Sequence, residues 1–346
     1  MDVEDIIESA VRALMFLLGM LGNNWLAVRS IPSRLSALRT NELLFLNLAV
    51  SNLITNYLVD LPDTMADIAG GWFLGDGYCG VFRFCADLSE TSSIFSTLFI
   101  SVYWYQKLVG SLKRGGGPVQ LDSLRLVGGL LAGSWGVAVV FSIPHYFFVA
   151  VEGGGEEGEN GSSLECNDVF PSEDAKQTYE ALYLTLANAL PVAGIVYATA
   201  RIVATLMQSQ KRIQGHGGNQ ASSEEGRAAP ASAASIKAAG GEEGSGGGGG
   251  GGEVRVAKPA PKPSPGSSNQ VRAAKSVVAV ASIFVVCWVT HLLLRISSNI
   301  QTSPIVVEVA SYIAASYTCI IPYIFLYGVK KLSCSCCGAK HSRVNF

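Results

Sequence analysis

Charge is what this chain has least of. Asp, Glu, Lys and Arg make up 15% of its 346 residues, where a soluble domain carries about 25%. That shortfall excludes an ordinary soluble globular domain, and a net charge of −2 gives no indication of a nucleic-acid partner. Histidine is scarce: four residues, far apart. H-E-x-x-H, G-x-S-x-G and any helical cluster of metal ligands are missing, so no enzyme, metal site or cofactor is expected. The glycine-rich stretch contains no G-x-x-x-x-G-K-[ST], which removes a phosphate-cradling loop. The start is acidic (Asp2, Glu4, Asp5, Glu8) rather than basic, so no cleavable signal peptide is expected and the first helix acts as its own insertion signal.

What is present is apolar sequence in long runs. Residues 13–28, 43–59, 91–106, 126–151, 181–200, 276–294 and 309–329 contain no Asp, Glu, Lys or Arg. A membrane-crossing helix needs about 20 mostly apolar residues, and in lipid only a helix satisfies its own backbone within one segment. The expected fold is an all-α membrane protein, a seven-transmembrane helix bundle. Its flanks alternate in sign. Arg29, Arg34 and Arg39 follow the first run, then Asp60, Asp63, Asp67 and Asp76. Lys107, Lys113, Arg114 and Arg125 come next, then Glu152, Glu156, Glu157, Glu159, Glu165 and Asp168. Because inner loops collect Lys and Arg, the N-terminus is expected outside and the C-terminus inside, in the plasma membrane. An inside N-terminus, as in seven-helix odorant channels, is disfavoured. A transporter is disfavoured by the odd helix count and lack of internal repeats.

The expected divisions are an extracellular N-terminus (1–8), helices one to five with their loops (9–207), a disordered inner loop (208–271), helices six and seven (272–329) and a cytoplasmic tail (330–346). The inner loop holds an unbroken Gly246–Gly252 run and a Lys258-Pro-Ala-Pro-Lys262-Pro-Ser-Pro stretch, compositions that bury no core. Asn160-Gly161-Ser162 is a glycosylation sequon in an outer loop. Cys334, Cys336 and Cys337 follow the last helix on the inner side, where palmitoylation is expected. Cys79 and Cys166 fall in outer segments, where disulfides persist.

Landmarks inside the helices carry a resemblance. Gly22-Asn23, Leu48-Ala49-Val50-Ser51-Asn52-Leu53, Trp72-Phe73-Leu74-Gly75 before Cys79, Trp135, Pro191, Phe284 with Cys287-Trp288, and Pro322 occur in order on the expected helices. Together they resemble the rhodopsin-like G-protein-coupled receptors, and the resemblance implies a Cys79–Cys166 disulfide, a heterotrimeric G-protein partner and no enzyme activity. The departures are Tyr103-Trp104-Tyr105 for D-R-Y, Asn52 for the helix-two Asp, Thr290 for the Pro of C-W-x-P, and Ile321-Pro322-Tyr323-Ile324-Phe325 for N-P-x-x-Y. With Ser101–Leu112, they look most like the type 1 vomeronasal receptors and the fish olfactory receptors class A-related. That implies a chemosensory receptor for a small-molecule odorant or pheromone. Bitter-taste-like and orphan rhodopsin-like receptors are the rivals. A retinal protein is excluded, because residues 304–329 contain no lysine.

Ionisable groups inside a bilayer point to function. Arg83, Asp87 and Glu90 are spaced to share a face of helix three, and His291 and Arg295 to share one of helix six. These five are the candidate ligand-binding residues. The bland alternative is internal pairing, Arg83 with Asp87 and Glu90 with His291 or Arg295. Near them, His145 reads as structural. Trp288, Phe284 and Pro322 are candidate switch positions. Tyr103, Trp104, Tyr105 and Lys107 are candidates for the G-protein face, with inner-leaflet membrane lipid as an alternative partner for the bases.

Overall fold

A computed structural model describes residues 3–113, 119–154, 163–224, 265–297 and 304–328. Among these residues ten α-helices and one hairpin follow in order: α1 (Val3–Ser30), α2 (Thr40–Thr55), α3 (Leu61–Ala69), α4 (Gly75–Lys113), α5 (Leu124–Phe147), β1 (Val149–Gly154), β2 (Ser163–Asp168), α6 (Glu173–Leu182), α7 (Leu190–Glu224), α8 (Pro265–Ser297), α9 (Pro304–Ala315) and α10 (Tyr317–Gly328). They make seven rods. A wide π turn (Asn56–Asp60) joins α2 to α3, another (Tyr183–Ala189) joins α6 to α7, and α9 meets α10 at a 41° bend. Pro62 and Pro191 each follow a π turn by two residues. A proline ring collides with the carbonyl four residues back in a regular helix, and a wide turn moves that carbonyl aside. At Thr290, where the family pattern has proline, α8 runs unbroken, and the threonine hydroxyl donates to the Val286 carbonyl at 2.9 Å.

Among the described residues five spans are long and apolar enough to cross a membrane, six if α9 and α10 count as one. The remaining rod is α4. It fails on hydropathy because it is packed among α2, α5, α7 and α8 rather than facing lipid. Its Ser89, Thr91, Ser92, Ser93, Ser96, Thr97 and Ser101 are all buried. A polar ladder joins α4 to the antiparallel α2: Asn47 to Ser96 (2.6 Å), Ser51 to Ser92 (2.7 Å), Asn52 to Ser93 (2.9 Å) and Thr55 to Ser89 (2.9 Å). The indole N–H of Trp135 on α5 donates to Asn47 Oδ1 at 2.9 Å, tying a third helix to this ladder. Helix interfaces in lipid are built from such small and hydroxylated residues.

Close approach also explains Gly22. A β-carbon there would sit 2.8 Å from Pro322 and 2.9 Å from Tyr323, so α1 and α10 touch where glycine leaves room. Beside it Asn23 donates to the Thr318 carbonyl (2.9 Å), and Asn52 donates to Asn23 Oδ1 (3.1 Å). Asn52, standing where the family has a carboxylate, is thus satisfied by amide and hydroxyl partners.

Two expected boundaries move. α1 begins at Val3, so the outer segment assigned to 1–8 is largely the first turns of a helix. α7 stays helical to Glu224 and α8 starts at Pro265. The segment 208–271 is therefore helical at both ends, because extending a formed helix needs no new nucleus. Residues 225–264, Asn160, Cys334, Cys336 and Cys337 lie outside the described residues.

Candidate functional site: an acidic outer cleft

The hairpin β1–β2 pairs antiparallel with Val151 opposite Cys166, and the Cys79–Cys166 disulfide fastens it to the N-terminal end of α4. Trp72 anchors the neighbouring loop: it is buried against Phe82 (ring centroids 5.1 Å), and its backbone N–H donates to the Leu164 carbonyl at 2.6 Å. The hairpin so held roofs a cleft of about 970 Å³ at the outer ends of the helices.

Arg83 is a strut for this roof. Its Nη2 donates to the Cys166 carbonyl at 2.7 Å, and its Nε lies 3.7 Å from Asp168. The alternative pairing of Arg83 with Asp87 is not what forms. Asp87 instead meets His145 Nδ1 on α5 at 2.8 Å, with both side chains about 5% exposed, and the Tyr179 hydroxyl stands 3.4 Å away. Asp87 is therefore a strap between α4, α5 and α6, away from the cleft lining. His145, expected to be structural, is its partner.

Glu90 does pair with His291, Oε1 to Nδ1 at 3.1 Å, and Tyr183 donates to its Oε2 at 3.3 Å. His291 lines the cleft. One turn inward on α8, Trp288 Nε1 donates to Asn188 Oδ1 at 3.1 Å, and Asn188 Nδ2 donates to the Tyr183 carbonyl at 3.4 Å. Phe284 packs edge-on to Tyr317 at 5.3 Å, and Pro322 is buried in α10. The Arg295 side chain lies outside the described residues.

The residues that sequence reasoning missed are on α1 and α3. Arg12 contacts Glu8 (2.8 Å), Asp63 (2.7 Å) and Asp67 (3.1 Å) at once. Glu8, Asp63 and Asp67 line the cleft with Glu165, and Asp60 lines an adjoining recess of about 140 Å³ with Arg12. One guanidinium thus serves three carboxylates. Two i, i+4 spacings, Glu8–Arg12 and Asp63–Asp67, were legible in the sequence, but Asp63 and Asp67 counted there only as loop charges. The cleft is open and mixed in polarity, and its four carboxylates outnumber the one arginine in its lining, which suits a cationic group. Among the described residues no set of three or more His, Cys, Asp or Glu is disposed to hold a metal.

At the inner end the four residues proposed for an intracellular face divide. Tyr103 and Trp104 are buried in the core, while Tyr105 and Lys107 are partly exposed. The cause is helix rotation, which turns 103 and 104 toward the bundle. Lys107 donates to Tyr103 Oη (2.7 Å) and faces Asp122 at 3.4 Å, so a lysine-centred pair ties α4 to the following loop.

Comparison with known proteins agrees with this architecture. Residues 23–337 match the family model described as "7 transmembrane receptor (rhodopsin family)". The human C-X-C chemokine receptor type 3 is 28% identical over 209 residues, 59% of this chain and 53% of the relative. The human C-X-C chemokine receptor type 1 is 29% identical over 164 residues, covering 47% and 43%. The rat neuropeptide FF receptor 2 is 24% identical over 213 residues, covering 58% and 48%. The chain spans about half the length of the curated relatives it matches.

Proposed function

Because the chain belongs to the rhodopsin family of seven-transmembrane receptors, multi-pass proteins of the plasma membrane, we propose that it is a G-protein-coupled receptor opened from outside by a ligand with a cationic segment, such as a peptide. The observation that carries this reading is the single Arg12 shared among Glu8, Asp63 and Asp67 at the mouth of a cleft of about 970 Å³. The lining carries four carboxylates, Glu8, Asp63, Asp67 and Glu165, against Arg83, and an excess of one sign of charge in a cleft concentrates ligands of the other. The names of the chemokine and neuropeptide receptors above point to peptide-sized ligands for those relatives.

In this reading the ligand's basic group competes with Arg12 for Asp63 and Asp67, and a deeper portion reaches His291 and Glu90. Trp288 and Phe284 carry the displacement inward along α8. The inner surface around Tyr105 and Lys107 meets the heterotrimeric G protein.

A second reading keeps the outer cleft for a small odorant or pheromone, as in the vomeronasal-type branch. It is favoured by the combined departures at Asn52, Tyr103-Trp104-Tyr105 and Thr290.

The deciding experiment exposes cells expressing the full chain to basic peptides and, separately, to neutral odorants, amines, organic acids and steroids, with G-protein dissociation as readout. A peptide agonist is expected to lose about tenfold in potency in Asp63→Asn and Asp67→Asn, since a charged hydrogen bond is worth about 1.5–3 kcal/mol. Surface expression should be retained. Activation by neutral small molecules alone, with potency unchanged in both variants, overturns the peptide reading in favour of the second.

A further inference from the structure

Between the inner ends of α8 and α10 lies a second, quite different hollow. It is an open groove of about 510 Å³. Its walls are the side chains of Ile320, Tyr323, Ile324 and Tyr327, and Arg272 and Lys275 stand at its rim. Both bases are exposed, and among the described residues no carboxylate lines the groove. The two helices meet tightly beside it: a β-carbon at Gly328 would collide with the Ser276 side chain. One polar link crosses the gap, from Arg272 Nη2 to the Tyr327 carbonyl at 2.5 Å. This leaves most of the five guanidinium donors for another partner.

We propose that this groove binds an anionic phospholipid of the inner leaflet, with one acyl chain between α8 and α10 and the phosphate on Arg272 and Lys275. Three features converge on that occupant. The groove opens sideways on an outer wall of a membrane-embedded bundle, where the adjacent medium is lipid. The apolar portion and the basic portion are contiguous, which matches the two ends of one amphiphile rather than a free ion or a hydrocarbon. The basic end is the inner end by the charge alternation of the loops, and anionic lipids are concentrated on that leaflet. Lys330 and Lys331 follow directly in the sequence and add charge of the same sign.

The consequence is regulatory. Arg272 belongs to α8 and would donate to the headgroup phosphate while donating to a carbonyl of α10. A bound lipid therefore adds to the link between these two helices and resists their separation.

The test uses the full-length receptor in nanodiscs of phosphatidylcholine alone or doped with phosphatidylserine, and counts retained lipids by native mass spectrometry. Wild type should retain phosphatidylserine in preference to phosphatidylcholine. Each base near an anionic surface is worth about 1 kcal/mol, or roughly fivefold, so Arg272→Gln/Lys275→Gln should cut that preference by roughly twentyfold. Lys275→Gln alone, at an exposed position, should cut it about fivefold even if changes at Arg272 impair folding. Ile324→Trp, which fills the groove without altering charge, should abolish retention of either lipid there. Arg125→Gln, an exposed base elsewhere on the inner face, should leave the preference intact. Equal losses in Arg125→Gln would mean diffuse attraction and overturn the site. Equal competition by soluble glycerophosphoserine would mean a phosphate site without an acyl slot. A rise in retention when Cys334, Cys336 and Cys337 are replaced by Ser would assign the groove to an acylated tail, and that too overturns the proposal.

Discussion

Removing the carboxylate at position 87 discriminates sharply between a ligand contact and a strap. Asp87 and His145 meet at 2.8 Å with side chains 6% and 5% exposed. Breaking a buried pair of this kind by deleting one partner costs about 3–5 kcal/mol, most of it the desolvation of the group left behind. In Asp87→Ala the imidazole is left poorly placed. Its Nε2 already has no hydrogen-bond partner among the described residues, and Nδ1 loses the carboxylate. The ring contacts of His145 with Phe170 (5.6 Å) and Tyr179 (5.0 Å) remain, but they do not replace a polar partner.

For a chain of this size about 3 kcal/mol corresponds to a fall of roughly 4–5 °C in melting temperature. Asp87→Asn keeps the shape and one hydrogen bond, so a fall of roughly half that is expected. The double substitution Asp87→Leu/His145→Phe should recover much of the loss, because well-packed apolar pairs replace buried ionic ones at little net cost. The assay is thermal melting of the detergent-solubilised receptor, with surface labelling in cells alongside. Wild-type melting and full surface expression in Asp87→Ala would refute the strap and return Asp87 to the ligand candidates.

Two further substitutions probe the bundle itself. Asn47→Leu removes the acceptor of the Trp135 indole and the donor to Ser96. It should lower stability by about 1–3 kcal/mol in the same melting assay, whereas Leu at the lipid-facing Val50, exposed on the same helix, should change nothing measurable. Gly22→Leu places a side chain where a β-carbon alone would come within 2.8 Å of Pro322. Reduced surface expression is expected, because α1 and α10 must part to admit it.

Uncharged runs and loop charges made the seven rods legible in the sequence, because the bilayer imposes length and composition on any helix that faces it. They were less informative about α4, whose neighbours are protein. There the serine and threonine spacing that matches the ladder on α2 carried the information, and it is readable only once the two helices are known to be adjacent. The same limit applies to the site. Helical spacing placed Arg83, Asp87 and Glu90 near one face, yet their partners Asp168, His145 and His291 come from three other elements. Spacing along one helix fixes direction, not the register of a neighbour. Arg12 shows the converse: a lone base at the edge of an apolar run gains its meaning from Asp63 and Asp67 on α3.

The geometry also constrains how large a signal one contact can carry. Glu90, His291, Trp288, Asn188 and Tyr183 form a polar circuit across α4, the π turn and α8, with four links between 3.1 and 3.4 Å and the α8 backbone joining His291 to Trp288. Its outer edge, His291, lines the cleft, while Trp288 packs against the core. Moving a two-state equilibrium from 1:99 to 99:1 takes about 5.5 kcal/mol of differential affinity, whereas one charge-assisted hydrogen bond is worth about 1.5–3 kcal/mol. A ligand that only displaces His291 from Glu90 therefore falls short of a full shift. The remainder has to come from contacts made differently in the two states, and the Arg12–Asp63–Asp67 cluster is the nearest reservoir of such contacts in the same cleft. Under the proposed function, the acidic rim and the polar circuit act as two halves of one recognition event. A ligand too short to bridge them is then expected to act as a partial agonist.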